Sequence, residues 1–187
     1  LKNDCWSKDI CPYYNQRNKA LTSKFNTLNY NMFFSLPAHL KKRQFLICDE
    51  ASELEDQLVK EFTCKLDYAF LKKCGVDTKP FISTKSHERW INGLLIEIND
   101  TITDLKEDIQ SNQNTRPQLQ IALKSRLIQL GNIQRKLELI IETWHDSEFV
   151  HEKDASGVTF MPLKVNKLAQ RLFDYGDKII LMSATII

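Results

Sequence analysis

Apolar residues in the middle of the chain recur at alternating spacings of three and four residues. The first such stretch runs over 91–109 and the second over 123–144. This spacing is the period of a helix that buries one face. A polar segment, 111–117, separates the two stretches and ends in Pro117, a residue favoured in the first turn of a helix. The pattern predicts an antiparallel helical hairpin over about 87–145.

Shorter apolar runs lie outside the hairpin. Residues 44–48 and 178–182 are continuously apolar or nearly so, which is typical of strands in a parallel sheet that are buried on both faces. Residues 52–73 carry leucine and phenylalanine four apart and predict one helix. Residues 148–152 and 158–163 flank a Gly-containing polar turn and predict a β-hairpin or two edge strands.

Together these elements predict an α/β fold with an insertion. Two strands of one parallel sheet bracket a mostly helical excursion. We expect residues 1–50 to end at the first strand, residues 51–163 to form the insertion with its hairpin, and residues 164–187 to return to the sheet.

Composition is that of an ordinary globular protein. The 187 residues are 42% hydrophobic and 27% charged, with a formal net charge of +2 that neither indicates nor excludes a polyanion partner. No apolar run reaches the length of a membrane span, and the first residues lack signal-peptide character, so we expect an intracellular protein without membrane insertion. Five cysteines, an odd number, argue against a disulfide framework.

Polar motifs follow both predicted parallel strands directly. Asp49 and Glu50 end the first strand; hydrolysis of a phosphoanhydride needs one carboxylate for Mg²⁺ and another to activate water. Ser183 and Thr185 end the second strand and bring two hydroxyls to the same edge of the sheet. Each motif has a structural alternative: a helix N-terminus that favours acidic residues, and a strand that ends in small residues.

Four stretches in chain order carry a family resemblance. They are Cys-Pro-Tyr-Tyr at 11–14 with Arg17, Leu-Asn-Tyr-Asn at 28–31, Ile-Cys-Asp-Glu-Ala-Ser at 47–52 with Leu-Glu-Asp at 54–56, and Ile-Leu-Met-Ser-Ala-Thr-Ile at 180–186. In these stretches the chain resembles the XPD/DinG family of iron–sulfur DNA helicases. The resemblance touches both ends of the chain, about half of its residues, and the predicted hairpin matches the family's arch insertion in placement and helical character.

The resemblance implies a RecA-like sheet in the first motor domain and ATP-driven movement along single-stranded or forked DNA in the 5′ to 3′ direction. It implies that Asp49 holds Mg²⁺ through water and that Glu50 activates the attacking water. Ser183 and Thr185 would couple hydrolysis to movement.

It also implies a 4Fe–4S cluster. Cys5 and Cys11 would be two of its four thiolate ligands.

DNA contacts follow from the aromatic and basic residues near the N-terminus. Tyr13, Tyr14 and Tyr30 are candidates to stack on bases, and Arg17 is a candidate to meet phosphates. Packing of these rings in a small core is the structural alternative.

The sequence differs from the family pattern at two places, and these differences limit what the resemblance implies. Ser52 stands where the family's acidic motif usually ends in histidine, and the sequence contains no Gly-Lys-Thr or Gly-Lys-Ser phosphate-binding loop. We therefore expect a fragment of a helicase that is inactive by itself. The alternative is a non-catalytic module whose helical hairpin binds a partner protein.

Overall fold

The computed structural model describes residues 12–82, 86–111 and 117–184. It divides into two compact units. Unit 1 joins the chain up to Gln57 with the chain from Leu172 onward, and unit 2 is the stretch Leu58–Arg171 between them. The fold mixes helices and strands, as predicted, with one parallel and one antiparallel sheet. Within the described ranges, no helix has both the length and the apolar character needed to cross a bilayer.

In the described part of the chain, three helices of unit 1 precede its first strand. The best defined start is that of α2, where the Asn29 side chain accepts a hydrogen bond of 2.8 Å from the Met32 N–H. The helices that begin in or continue into unit 1 are α1 (Pro12–Thr22), α2 (Tyr30–Ser35), α3 (Ala38–Lys41), a 3₁₀ turn (Ala51–Glu53), α4 (Leu54–Phe62) and α8 (Asn166–Phe173).

A two-stranded parallel sheet lies in unit 1. Its strands are β1 (Arg43–Cys48) and β5 (Gly176–Leu181), paired so that Phe45 lies opposite Lys178 and Ile47 lies opposite Ile180. The predicted parallel strands are therefore confirmed, and they are neighbours in the sheet.

Burial of these strands on both faces was also predicted, and that prediction is wrong. Phe45 is 49% exposed and Ile47 is 56% exposed. Ile180 and Met182 share their face of the sheet, by strand alternation, and are exposed as well. The reason is that the described part of the chain places no covering layer on this face, as the exposure of these side chains shows.

Unit 2 contains a three-stranded antiparallel sheet in the order β2-β4-β3. The strands are β2 (Cys64–Asp67), β3 (Phe149–Lys153) and β4 (Gly157–Pro162). β3 and β4 pair from Phe149 opposite Pro162 to Lys153 opposite Val158, which confirms the predicted β-hairpin. Asp154 closes its turn, because one carboxylate oxygen accepts hydrogen bonds from the N–H groups of Ser156 and Gly157.

The prediction of a single helix over 52–73 is wrong. Helix α4 ends at Phe62, strand β2 follows, and a separate helix α5 spans Tyr68–Lys73. In β2 the side chains of Cys64 and Leu66 are buried while those of Lys65 and Asp67 are exposed, the alternation of a strand with one covered face. Pairing with β4 decides the outcome, because it satisfies the backbone groups that a continuous helix would have satisfied internally.

The predicted helical hairpin is confirmed. Near its tip, the Gln120 side-chain amide donates a hydrogen bond of 3.4 Å to the Ile109 carbonyl. At its base, the rings of His87 and Trp144 stack with their centroids 3.7 Å apart. The start of one arm therefore lies beside the end of the other, as in an antiparallel pair. The arms are α6 (His87–Ser111) and α7 (Pro117–Ser147).

One apolar core joins this hairpin to the antiparallel sheet. Its centre is Phe160, whose ring lies against the rings of Phe81, Trp90 and Trp144. The fully buried members from both arms and the sheet are Leu66, Ile91, Ile98, Leu130, Leu137, Ile140 and Phe160.

Candidate functional site

The ends of β1 and β5 meet at one edge of the parallel sheet. The Met182 N–H donates a hydrogen bond of 2.9 Å to the Cys48 carbonyl, and the Ala51 N–H donates one of 2.8 Å to the Met182 carbonyl. These bonds continue the pairing past the last strand residues. The acidic motif and the Ser-Ala-Thr motif therefore leave the sheet side by side, as predicted from their positions after two parallel strands.

Asp49 and Glu50 form a tight turn at this edge. Glu50 has φ 51° and ψ 46°, a left-handed conformation that is uncommon for a residue with a side chain. Its N–H donates a hydrogen bond of 3.0 Å to the carboxylate of Asp49. Both acidic residues are exposed, so their carboxylates face solvent and not the core. Non-glycine residues in this region of φ and ψ are enriched at active sites.

A hydroxyl pair connects the two motifs. The Ser183 Oγ donates a hydrogen bond of 3.1 Å to the Ser52 Oγ. Ser52 lies two residues after Glu50, in the 3₁₀ turn that follows the acidic motif. The residue that departs from the family pattern is thus the one in contact with the second motif.

Tyr30 reaches the acidic motif from helix α2. Its hydroxyl donates a hydrogen bond of 2.7 Å to the backbone carbonyl of Asp49. Burial raises the pKa of Tyr30 to about 12, and a hydrogen bond with the Cys48 thiol and the charges of the acidic residues of the motif add to the rise. The hydroxyl is therefore protonated, and able to donate, throughout the neutral pH range.

This contact is the part of the site that sequence reasoning missed. The stacking of Tyr30 on a DNA base stays a prediction; in the structure its hydroxyl is bonded to the acidic motif and its ring lies against Phe34. The family-like stretch around Tyr30 was the available signal, but nothing in the stretch indicates which backbone group the hydroxyl meets.

The structure gives no contact at this edge for the remaining predicted residues that it describes. Cys5, Cys11 and Thr185 lie outside the described residues. Tyr13 and Tyr14 lie in helix α1, with Arg17 partly buried further along the same helix. Their contacts with DNA remain predictions.

Metal ligands are sparse in the described ranges. No group of three or more His, Cys, Asp or Glu side chains is assembled there in a way that would hold a metal ion. The described cysteines Cys48, Cys64 and Cys74 are buried free thiols. Burial raises the pKa of the Cys64 thiol to about 12, against the opposing effect of Lys136, so this thiol is inert at neutral pH.

Comparison of the chain with protein-family models, with curated proteins and with solved structures finds no match.

Proposed function

We propose that this chain supplies the acidic motif and the coupling motif of an ATP-dependent DNA helicase motor related to the XPD/DinG family. One observation supports this most strongly: two motifs far apart in sequence leave neighbouring parallel strands and are joined through Ser183 and Ser52. In α/β proteins the carboxyl edge of a parallel sheet is where ligands bind.

The residues at this edge fit a role with Mg²⁺ and ATP. Mg²⁺ usually keeps several waters and is held by one or two carboxylates together with substrate phosphates, so a single exposed Asp49 suffices on the protein side. Bound Mg²⁺ would neutralise charge on the phosphates during transfer. Glu50, the adjacent carboxylate, orients the attacking water and accepts its proton.

In this proposal Ser183 transmits a movement of the acidic motif to the Ser-Ala-Thr motif. A change in the position of the acidic turn would lengthen or shorten its bond to Ser52, and the displacement would pass into β5. Thr185 shares this role in the proposal.

The exposed face of the parallel sheet fits the proposed RecA-like motor domain. Parallel sheets are almost always covered on both faces, and isolated two-stranded sheets are at best marginally stable. Phe45, Ile47 and Ile180 are the kind of side chains that further strands and helices of a motor domain would cover. The sequence has no phosphate-binding loop, so in this proposal the complete parent protein supplies it.

In this proposal the motor moves along single-stranded DNA in the 5′ to 3′ direction. Tyr13, Tyr14, Arg17 and Tyr30 are the candidate DNA contacts. The described residues do not assemble a ligand set for a 4Fe–4S cluster. Cys5 and Cys11 stay the candidate ligands, and no step of the proposed reaction depends on the cluster.

Replacement of Glu50 tests the proposal. In the complete parent protein, Glu50→Gln should leave ATP binding nearly intact and lower turnover by roughly two orders of magnitude or more, because the amide cannot accept the proton. Glu53→Gln, in the adjacent 3₁₀ turn, is the matched control and should keep wild-type turnover. Equal turnover in wild type and Glu50→Gln would remove Glu50 from the proposed role.

A second candidate function has its own observation. On helix α7, Ile121 is 49% exposed and Ile128 is 64% exposed, and their spacing of seven places them on one face, away from the core residues Leu123 and Leu130. Such a stripe favours a protein partner on the hairpin. Two results together would favour this function over the helicase. The parent protein would show no ATPase activity, and it would bind a partner protein without DNA, with Ile128→Asp abolishing that binding.

A further inference from the structure

The peptide group between Asp49 and Glu50 is held at both ends. Its carbonyl accepts the hydrogen bond of 2.7 Å from the Tyr30 hydroxyl. Its N–H donates the hydrogen bond of 3.0 Å to the Asp49 carboxylate. This peptide connects the proposed Mg²⁺ residue to the proposed base, so its orientation sets where the Glu50 side chain can point.

Tyr30 is itself well fixed for such a contact. It is the first residue of helix α2, directly after the Asn29 cap. Its ring lies against that of Phe34, one turn later, with centroids 6.3 Å apart and planes inclined by 24°. The ring is partly buried. The start of helix α2 and the contact with Phe34 therefore hold the hydroxyl at the Asp49 carbonyl.

Rotation of this peptide is the simplest way for Glu50 to leave the left-handed region. A peptide turns as a unit when the ψ of the residue before it and the φ of the residue after it change in opposite directions, with little movement of the flanking chain. A change of the Glu50 φ from 51° to an ordinary negative value would turn the Asp49 carbonyl away from Tyr30. The hydrogen bond from Tyr30 opposes that rotation.

We propose that Tyr30 is a positioning residue for ATP hydrolysis: its hydroxyl holds the Asp49–Glu50 peptide in the orientation that aims Glu50 at the attacking water. This inference rests on the proposed function. It assigns to Tyr30 a role at the acidic motif in addition to the predicted contact with DNA bases.

Tyr30→Phe tests the inference because it removes the hydroxyl and keeps the ring that packs on Phe34. In the complete parent protein we expect kcat to fall roughly 3- to 10-fold, the effect of losing one hydrogen bond. The KM for ATP and the urea midpoint should stay at their wild-type values. Tyr175→Phe is the matched control in the same unit, and it should leave kcat unchanged.

A second measurement on this chain does not depend on turnover. The amide resonance of Glu50 should move in Tyr30→Phe and stay in place in Tyr175→Phe. An unmoved Glu50 resonance in Tyr30→Phe would overturn the positioning role.

The kinetic outcomes separate the two proposals. An active parent whose kcat is the same with Tyr30→Phe overturns the positioning role and leaves the helicase proposal intact. A wild-type parent without DNA-stimulated ATPase activity overturns the proposed function, and the inference falls with it. A loss of kcat accompanied by an equal loss of stability in Tyr30→Phe would show a structural contact only, and would also overturn it.

Discussion

Unit 2 buries its apolar side chains in one continuous core, whereas unit 1 leaves an apolar sheet face open to solvent. The core cluster, from Cys64 to Phe160 along the chain, lies entirely within unit 2. In unit 1, Phe45 and Ile47 on β1 and Ile180 on β5 are each at least two-fifths exposed. The two units therefore bury apolar surface to very different degrees.

This difference separates the scaffold from the candidate chemistry. Unit 2 has a hairpin and a sheet that bury their apolar faces against each other. Unit 1 carries the acidic motif and the Ser183 contact beside a sheet that has two strands in the described part of the chain and one face open to solvent. In the proposed motor domain, further strands and helices of the parent protein would cover this face.

Matched aromatic truncations should give the largest contrast in stability. Phe160→Ala removes a fully buried ring from unit 2 and should lower the free energy of unfolding by about 3–5 kcal/mol. Phe45→Ala removes a half-exposed ring from unit 1 and should lower it by about 1 kcal/mol or less. Urea unfolding followed by far-ultraviolet circular dichroism measures both. Equal losses would mean that the face around Phe45 is covered in solution.

Glycine replacements test the packing of unit 2 more finely. A Cβ at Gly157 would lie 2.0 Å from the Leu66 carbonyl oxygen, so Gly157→Ala must displace β4 from β2 and should cost about 1–3 kcal/mol. A Cβ at Gly131, on helix α7, meets no atom within 4 Å. Gly131→Ala is therefore the control and should raise the free energy of unfolding by about 0.5–1 kcal/mol. A stable Gly157→Ala protein would contradict the pairing of β2 with β4.

Thiol labelling compares the opening of the two units directly. Cys48 in unit 1 and Cys64 in unit 2 are both nearly fully buried, so each reacts mainly when its surroundings open. In a background with Cys5, Cys11 and Cys74 replaced by serine, Cys48 should react with a thiol reagent at least ~10-fold faster than Cys64 under native conditions. Equal labelling rates for Cys48 and Cys64 would show that both units open together, which would contradict the difference in burial between them.

Local sequence patterns predicted the elements whose partners lie nearby. The hairpin follows from apolar spacing within each arm, and β3 and β4 flank one short turn. Strand β2 was missed because Leu58, Phe62 and Leu66 are four apart and fit a helix equally well. Its pairing with β4, far along the chain, decides between the two structures.

The same limit applies to the candidate site. Sequence alone placed Asp49, Glu50 and Ser183 at strand ends, since each follows an apolar run directly. It did not reveal the left-handed conformation of Glu50 or the bond from Tyr30 to the Asp49 carbonyl. Both depend on how α2 packs near the end of β1, and no local spacing encodes that packing.

The most direct test of the central claim is ATP hydrolysis by the complete parent protein, measured with and without single-stranded DNA beside this chain alone. We predict turnover by the parent that DNA accelerates and that Glu50→Gln lowers by roughly two orders of magnitude or more, with no turnover by the isolated chain. A folded parent that hydrolyses no ATP in the presence of DNA would contradict the claim.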